Sequence, residues 1–109
     1  MMSSIETLIL PSELFPTPDT IRSIVEGFDH KPAVFARFGS PQVNHYAQVG
    51  WVESVSAKPE GLFGVLMLPP EGVEKLSKGE LEVKGQVSYY AARKTIESAR
   101  LVEVRLIPK

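Results

Sequence analysis

Residues 48–68 read QVGWVESVSAKPEGLFGVLML, and the fold is decided by how they are parsed. Gln48 to Ser56 alternates with a period of two, placing Val49, Trp51 and Val55 on successive faces of a strand. Leu62 to Leu68 is a second, nearly continuous apolar run. Between them Lys58-Pro59-Glu60-Gly61 is turn chemistry, a proline that presets φ followed by a glycine that tolerates positive φ. Two strands joined this way predict an antiparallel hairpin, with Trp51 as its core anchor.

Upstream, Ala33 to Phe38 (AVFARF) is a further predicted strand, followed by a polar loop from Gly39 to His45. Before it, Thr17-Pro18-Asp19 supplies a capping residue, a proline at the first helical position and an acid in the first turn. Ile21, Ile24, Val25 and Phe28 then fall at i, i+3, i+4 and i+7, the stripe of an amphipathic helix. Gly27 or the Asp29-His30 pair ends it, and Pro32 forbids its continuation. Ile5 to Leu10 reads as an N-terminal strand stopped by Pro11, with the proline-rich stretch to Pro18 as connector.

Downstream, Pro69-Pro70-Glu71 opens a short helix with Val73 and Leu76 on its apolar side and Gly79 at the C′ position. Leu81 to Tyr90 is a strand in which Gly85 marks a bulge or a close backbone approach. Ala99 to Ile107 is the last strand; strict alternation puts Leu101, Glu103 and Arg105 on one face and Val102, Val104 and Leu106 on the other. The expectation is a mainly β (α+β) domain, a small β-barrel of about six strands with two short flanking helices. Residues 1–109 form one domain, with 1–16 as an N-terminal strand or arm and 17–109 as the barrel.

Composition narrows the function classes. The chain has 109 residues, 43% hydrophobic and 23% charged, which suits one globular domain. Twelve basic and thirteen acidic side chains leave a net charge of −1, without the basic surplus of a nucleic-acid binder. No apolar run is long enough to span a bilayer as a helix. The N-terminus MMSSIETLILPSEL lacks the basic start of a signal peptide, so secretion by that route is not expected. Having no cysteine removes disulfides, thiolate zinc sites and thiol nucleophiles, and two histidines could build a metal site only with carboxylate help. No metal or cofactor is expected. Gly61 to Gly64 lacks phosphate-loop spacing.

Three residues compose a candidate hydroxyl-based catalytic set: Ser88 in a strand, His45 in the loop before the Trp51 strand, and Glu103 in the last strand. Nucleophilic serine chemistry needs a base within hydrogen-bond reach and a partner that orients the base. The plainer reading makes Ser88 a strand hydroxyl, Glu103 a solvated side chain beside Arg105, and His45 a loop residue. Likewise His30 reads as a helix-end residue that favours the dipole. Tyr89-Tyr90 with Lys84 and Arg93 reads as core on one side and a polar-tipped surface on the other, sooner than as a stacking platform for single strands. Glu71/Glu74 and Glu80/Glu82 read as exposed faces.

The ordered set Gly50-Trp51-Val52, Gly61-Leu62, Lys78-Gly79-Glu80, Ser88 and Leu101-Val102-Glu103-Val104 resembles the tailed-phage prohead proteases, relatives of herpesvirus assemblin. The upstream helix leading into Pro-Ala-Val is similar too, so the resemblance spans residues 17–108. It implies a β-barrel serine protease acting on scaffold and capsid proteins, with Ser88 at the nucleophile's place and Glu103 as a third member. The family's histidine closes the strand before the loop preceding Gly-Trp-Val. Here that stretch is Pro32 to Gly39, with Arg37 or Phe38 near the expected place. An arginine stays protonated and cannot act as the base. His45, five residues before Gly50, is the nearby substitute.

The leading expectation is therefore a phage capsid-associated protein on a prohead-protease-like fold that has lost catalysis and acts in capsid assembly, decoration or stabilisation. Its partners would be capsid or scaffold proteins, in a homo-oligomer or in many copies on a shell, located in the virion or host cytoplasm. Nucleic acid and membrane are not expected partners. One alternative is an active maturation protease using Ser88, His45 and Glu103. Another is a small cellular binding domain unrelated to phage. The strand Ile5–Leu10 either adds to a neighbour's sheet edge or pairs within the domain's own sheet.

Overall fold

The hairpin forms as the sequence predicts: β3 (Ala47–Lys58) pairs antiparallel with β4 (Gly61–Leu68), from Trp51 opposite Met67 to Lys58 opposite Gly61. This computed structural model describes residues 2–14, 18–28, 31–36, 47–92 and 95–109. Around the hairpin lie β1 (Ser3–Pro11), a 3-10 turn (Ser12–Leu14), α1 (Pro18–Glu26), β2 (Ala33–Ala36), α2 (Pro70–Ser77), β5 (Leu81–Ala92) and β6 (Thr95–Pro108). The strands make one six-stranded sheet in the order β1-β4-β3-β2-β6-β5. Every neighbouring pair is antiparallel except β2 with β6. β1 pairs with β4 along its length, Ser3 opposite Leu68 to Pro11 opposite Gly61, so the N-terminal strand belongs to the domain's own sheet.

The protein is thus mainly β, a sheet curled into a half-barrel with two helices. Its two edge strands, β1 and β5, meet through side chains and not through a ladder. Ile9 is the unmatched residue where the β1 register shifts between Leu8 and Leu10. A bulge re-aims the residue it carries, and here it turns Ile9 inward until only 1% of it is exposed. Its side chain lies over two glycines. A Cβ on Gly64 of β4 would run into Ile9 Cδ1, and one on Gly85 of β5 would run into Ile9 Cγ2. Leu10 follows, 3.2 Å from the same point on Gly85. Gly85 is therefore the close approach anticipated for it.

Inside the curl, Val34, Val52, Leu62, Leu66, Leu68 and Val104 are fully buried. Both helices cover this concave side. The α1 stripe behaves as read: Ile21 and Ile24 are buried, and Val25 and Phe28 pack against the core. The Ala99 N–H of β6 donates to Ser23 Oγ of α1 at 3.2 Å, tying helix to strand. Thr17, the expected cap, lies outside the described residues. In α2, Val73 and Leu76 pack on the core, and the helix ends in a Schellman motif. Gly79 N–H donates to Leu76 O at 3.1 Å and Glu80 N–H to Lys75 O at 3.0 Å. Gly79 sits at φ +74°, where a Cβ is disfavoured.

Two sequence expectations need correction. Strict alternation in the last strand fails, because the β5–β6 register shifts between Gln86 and Val87, leaving Val102 unmatched. Leu101, Val104 and Leu106 all face the core, whereas Val102 is 48% exposed and Glu103 lies on the outer face. Trp51 is not a core anchor. It is half-buried on the convex face, and Val52 beside it is the fully buried residue. The strands also run longer than read: β5 continues to Ala92, and β6 begins at Thr95.

The seam gives a coupled prediction. Ile9→Ala should cost about 2–5 kcal/mol through the cavity it leaves, and Gly85→Ala about 1–3 kcal/mol through overpacking. In the Ile9→Ala background the Gly85→Ala cost should shrink, since the methyl it collides with is gone. Denaturant unfolding of the four proteins measures this; equal Gly85→Ala costs in both backgrounds would show that the two positions are uncoupled.

Candidate functional site

The β5–β6 ladder carries two of the three candidate catalytic residues on its convex face. Alternation along β5 half-buries Val87 and exposes Gln86 and Ser88. Ser88 stands directly across from Arg100 of β6. Glu103 stands across from Gln86, the next outward rung, because the unmatched Val102 brings Glu103 rather than its predecessor into register. Same-face residues one outward rung apart on the diagonal have Cα atoms roughly 7–8 Å apart. Long side chains bridge a separation of that size. The Glu103 side chain is 17% exposed, and its Oε1 accepts from Arg105 Nη2 at 3.4 Å. The residue paired with the serine across the ladder is thus an arginine, and the carboxylate is engaged by a second one.

His45, the third member, lies outside the described residues, as do Arg37, Phe38, His30 and Arg93. Tyr89 and Tyr90 belong to the β5 backbone, but their side chains are also outside the description. Glu71, Glu74, Glu80 and Glu82 are exposed, as the sequence indicated. Among the described residues no group of three or more His, Asp or Glu side chains is placed to hold a metal ion. No helix among them is long and apolar enough to cross a membrane.

A polar cluster that the sequence reading did not single out sits elsewhere on the convex face, where Glu53 occupies a bulge in β3 between Val52 and Ser54. Glu53 Oε2 accepts from the Trp51 indole N–H at 2.6 Å, and Oε1 accepts from Lys31 Nζ at 2.9 Å. The Lys31 hydrogen bond, followed by that from Trp51, holds the Glu53 carboxyl below the ordinary glutamate range. The Trp-x-Glu spacing was visible, since residues i and i+2 share a strand face. Lys31 comes from the chain just before β2, and only the tertiary fold brings it there. At the far end of β3, Lys58 pairs with Glu6 and lies 4.5 Å from the Phe63 ring centroid, linking β1, β3 and β4. Both clusters consist of matched charges without a nucleophile, and their chemistry is positioning.

A carboxyl with a lowered folded-state pKa stabilises the fold above its unfolded pKa, and that contribution is lost as pH falls through the folded value. Trp51 is the chain's single tryptophan, so its emission reports Glu53 directly. An acid titration should show an emission change with a midpoint below the ordinary glutamate value, and Lys31→Met should move that midpoint upward. A midpoint indifferent to Lys31→Met would mean the ion pair does not form in solution.

No family model, curated protein or solved structure matches this chain, so what the site can do is judged from its own residues.

Proposed function

We propose that the chain is a phage capsid-associated protein on a prohead-protease-like half-barrel, acting in shell assembly, decoration or stabilisation without catalysis. The observation that carries the non-catalytic reading is the ladder itself: Ser88 faces Arg100, and Glu103 is engaged by Arg105. Serine activation needs a neutral base at the hydroxyl, and the residue paired across from Ser88 in the ladder is an arginine, a side chain that stays protonated and cannot act as that base. The phage assignment is supported by the sequence resemblance. The quoted segments follow one another through β2, β3, β4, α2, β5 and β6 in a single curled sheet. The partners on this reading are capsid or scaffold proteins, met inside the virion or in the host cytoplasm.

An active maturation protease remains the second reading, favoured by one observation. Ser88 and Glu103 share the convex face on adjacent outward rungs of one ladder. Fluorophosphonate labelling of the wild type, Ser88→Ala and His45→Ala decides between them, with cleavage assayed on capsid and scaffold proteins encoded in the same genome. The expected result is no labelling and no cleavage by the folded protein, together with co-sedimentation with assembled shells. Labelling and cleavage that need both residues would establish the protease, and failure to co-sediment would remove the capsid assignment.

A further inference from the structure

The two edges of the sheet differ in how they are protected. Natural edge strands are blunted by charge, proline or bulges, because their unpaired N–H and C=O groups template another strand. β1 carries all three devices: Glu6 paired with Lys58, the bulge at Ile9, and Pro11 at its end. β5 is the opposite case. From Gln86 to Ala92 it reads QVSYYAA, with no charge and no proline, and rich in strand-favouring residues.

The fold also leaves this stretch beyond the reach of the rest of the sheet. β1 and β5 run in the same direction, and they meet where Ile9 and Leu10 lie over Gly85. β1 ends two residues after Ile9, at Pro11. β5 continues to Ala92, with β6 on one side and, among the described residues, no strand on the other. The 14-residue β6 would span roughly 46 Å if straight, matching the 45 Å long axis of a molecule only 26 by 24 Å across. The hairpin's distal half is therefore an extension of the barrel.

We infer that the outer edge of β5 over Gln86–Ala92 is a strand-pairing site, and that its occupant is the same segment of a second copy of this chain. Antiparallel pairing of one edge with itself is isologous, closing on a two-fold axis without any further surface. A strand laid against its own copy doubles every charge it carries, and like charges directly opposite are destabilising. Seven uncharged residues avoid that penalty. Paired over about 24 Å, they join two half-barrels into one continuous sheet, with Gln86 and Ser88 exposed beside the junction. This inference does not rest on the capsid assignment, which fails or stands by shell binding alone.

Sedimentation equilibrium of the full chain, with amide hydrogen exchange at low and high protein concentration, tests it. The expected result is a reversible dimer in which protection of residues 86–92 rises with concentration. Ser88→Glu faces Arg100 within its own ladder, yet brings two carboxylates together at the junction, so it should weaken self-association by about fivefold. Mixing Ser88→Glu with Ser88→Lys should restore pairing, and Gln86→Lys, which faces Glu103 within its own ladder, serves if either variant melts early. A protein monomeric at its highest soluble concentration overturns the inference. So does a dimer whose exchange over 86–92 is independent of concentration.

Discussion

The half-barrel depends on Ile9. Six strands in one sheet have two edges, and without full closure the concave core would be open along the seam between them. Ile9 fills that seam because three separate features agree. A bulge in β1 turns it inward, and Gly64 and Gly85 on two other strands omit the side chains that would occupy its place. The closure is made by apolar side chains instead of a ladder, so it relies on shape: Ile9 occupies space that Gly64 and Gly85 leave open, and close-packed interiors tolerate little change in volume. Fully buried Leu62, Leu66 and Leu68 lie on the neighbouring strand whose pairing with β1 sets the seam.

Register shifts determine the surface in the same way that Ile9 determines the core. Each moves the outward and inward sets of a strand by one residue, and a one-residue slip exchanges faces completely. In β3 the unmatched residue is Glu53, whose carboxylate meets Trp51 two residues before it and Lys31. In β6 the unmatched Val102 moves Glu103 outward, into the row that Ser88 and Gln86 occupy on β5. The candidate set of Ser88 and Glu103 shares a face because of one extra residue. The arginines at positions 100 and 105 share that face for the same reason.

The hairpin at residues 48–68, the α1 stripe and the Gly79 cap were legible because each is a local pattern: a turn between alternating runs, a 3.6-residue period, a glycine at positive φ. The Trp51 environment was not, since an aromatic among valines looks the same whether its strand is in phase or shifted. Glu53 escaped notice because half of its reason for being where it is, Lys31, lies 22 residues away. At the candidate site, the residue types Ser88 and Glu103 were readable, but their cross-strand partners were not.

By itself the sequence determined that this chain is a mainly β domain with two helices, which segments are strands, and that cysteine chemistry is absent. These follow from periodicity, turn residues and composition, each a property of neighbours along the chain. The tertiary structure alone decided that β1 joins its own sheet, that the curl closes on Ile9, and that Ser88 faces Arg100. It also decided that β5 outruns β1 and presents an uncharged edge. Each of these depends on which residue of one strand meets which residue of another, and that register is settled by bulges and by long-range packing.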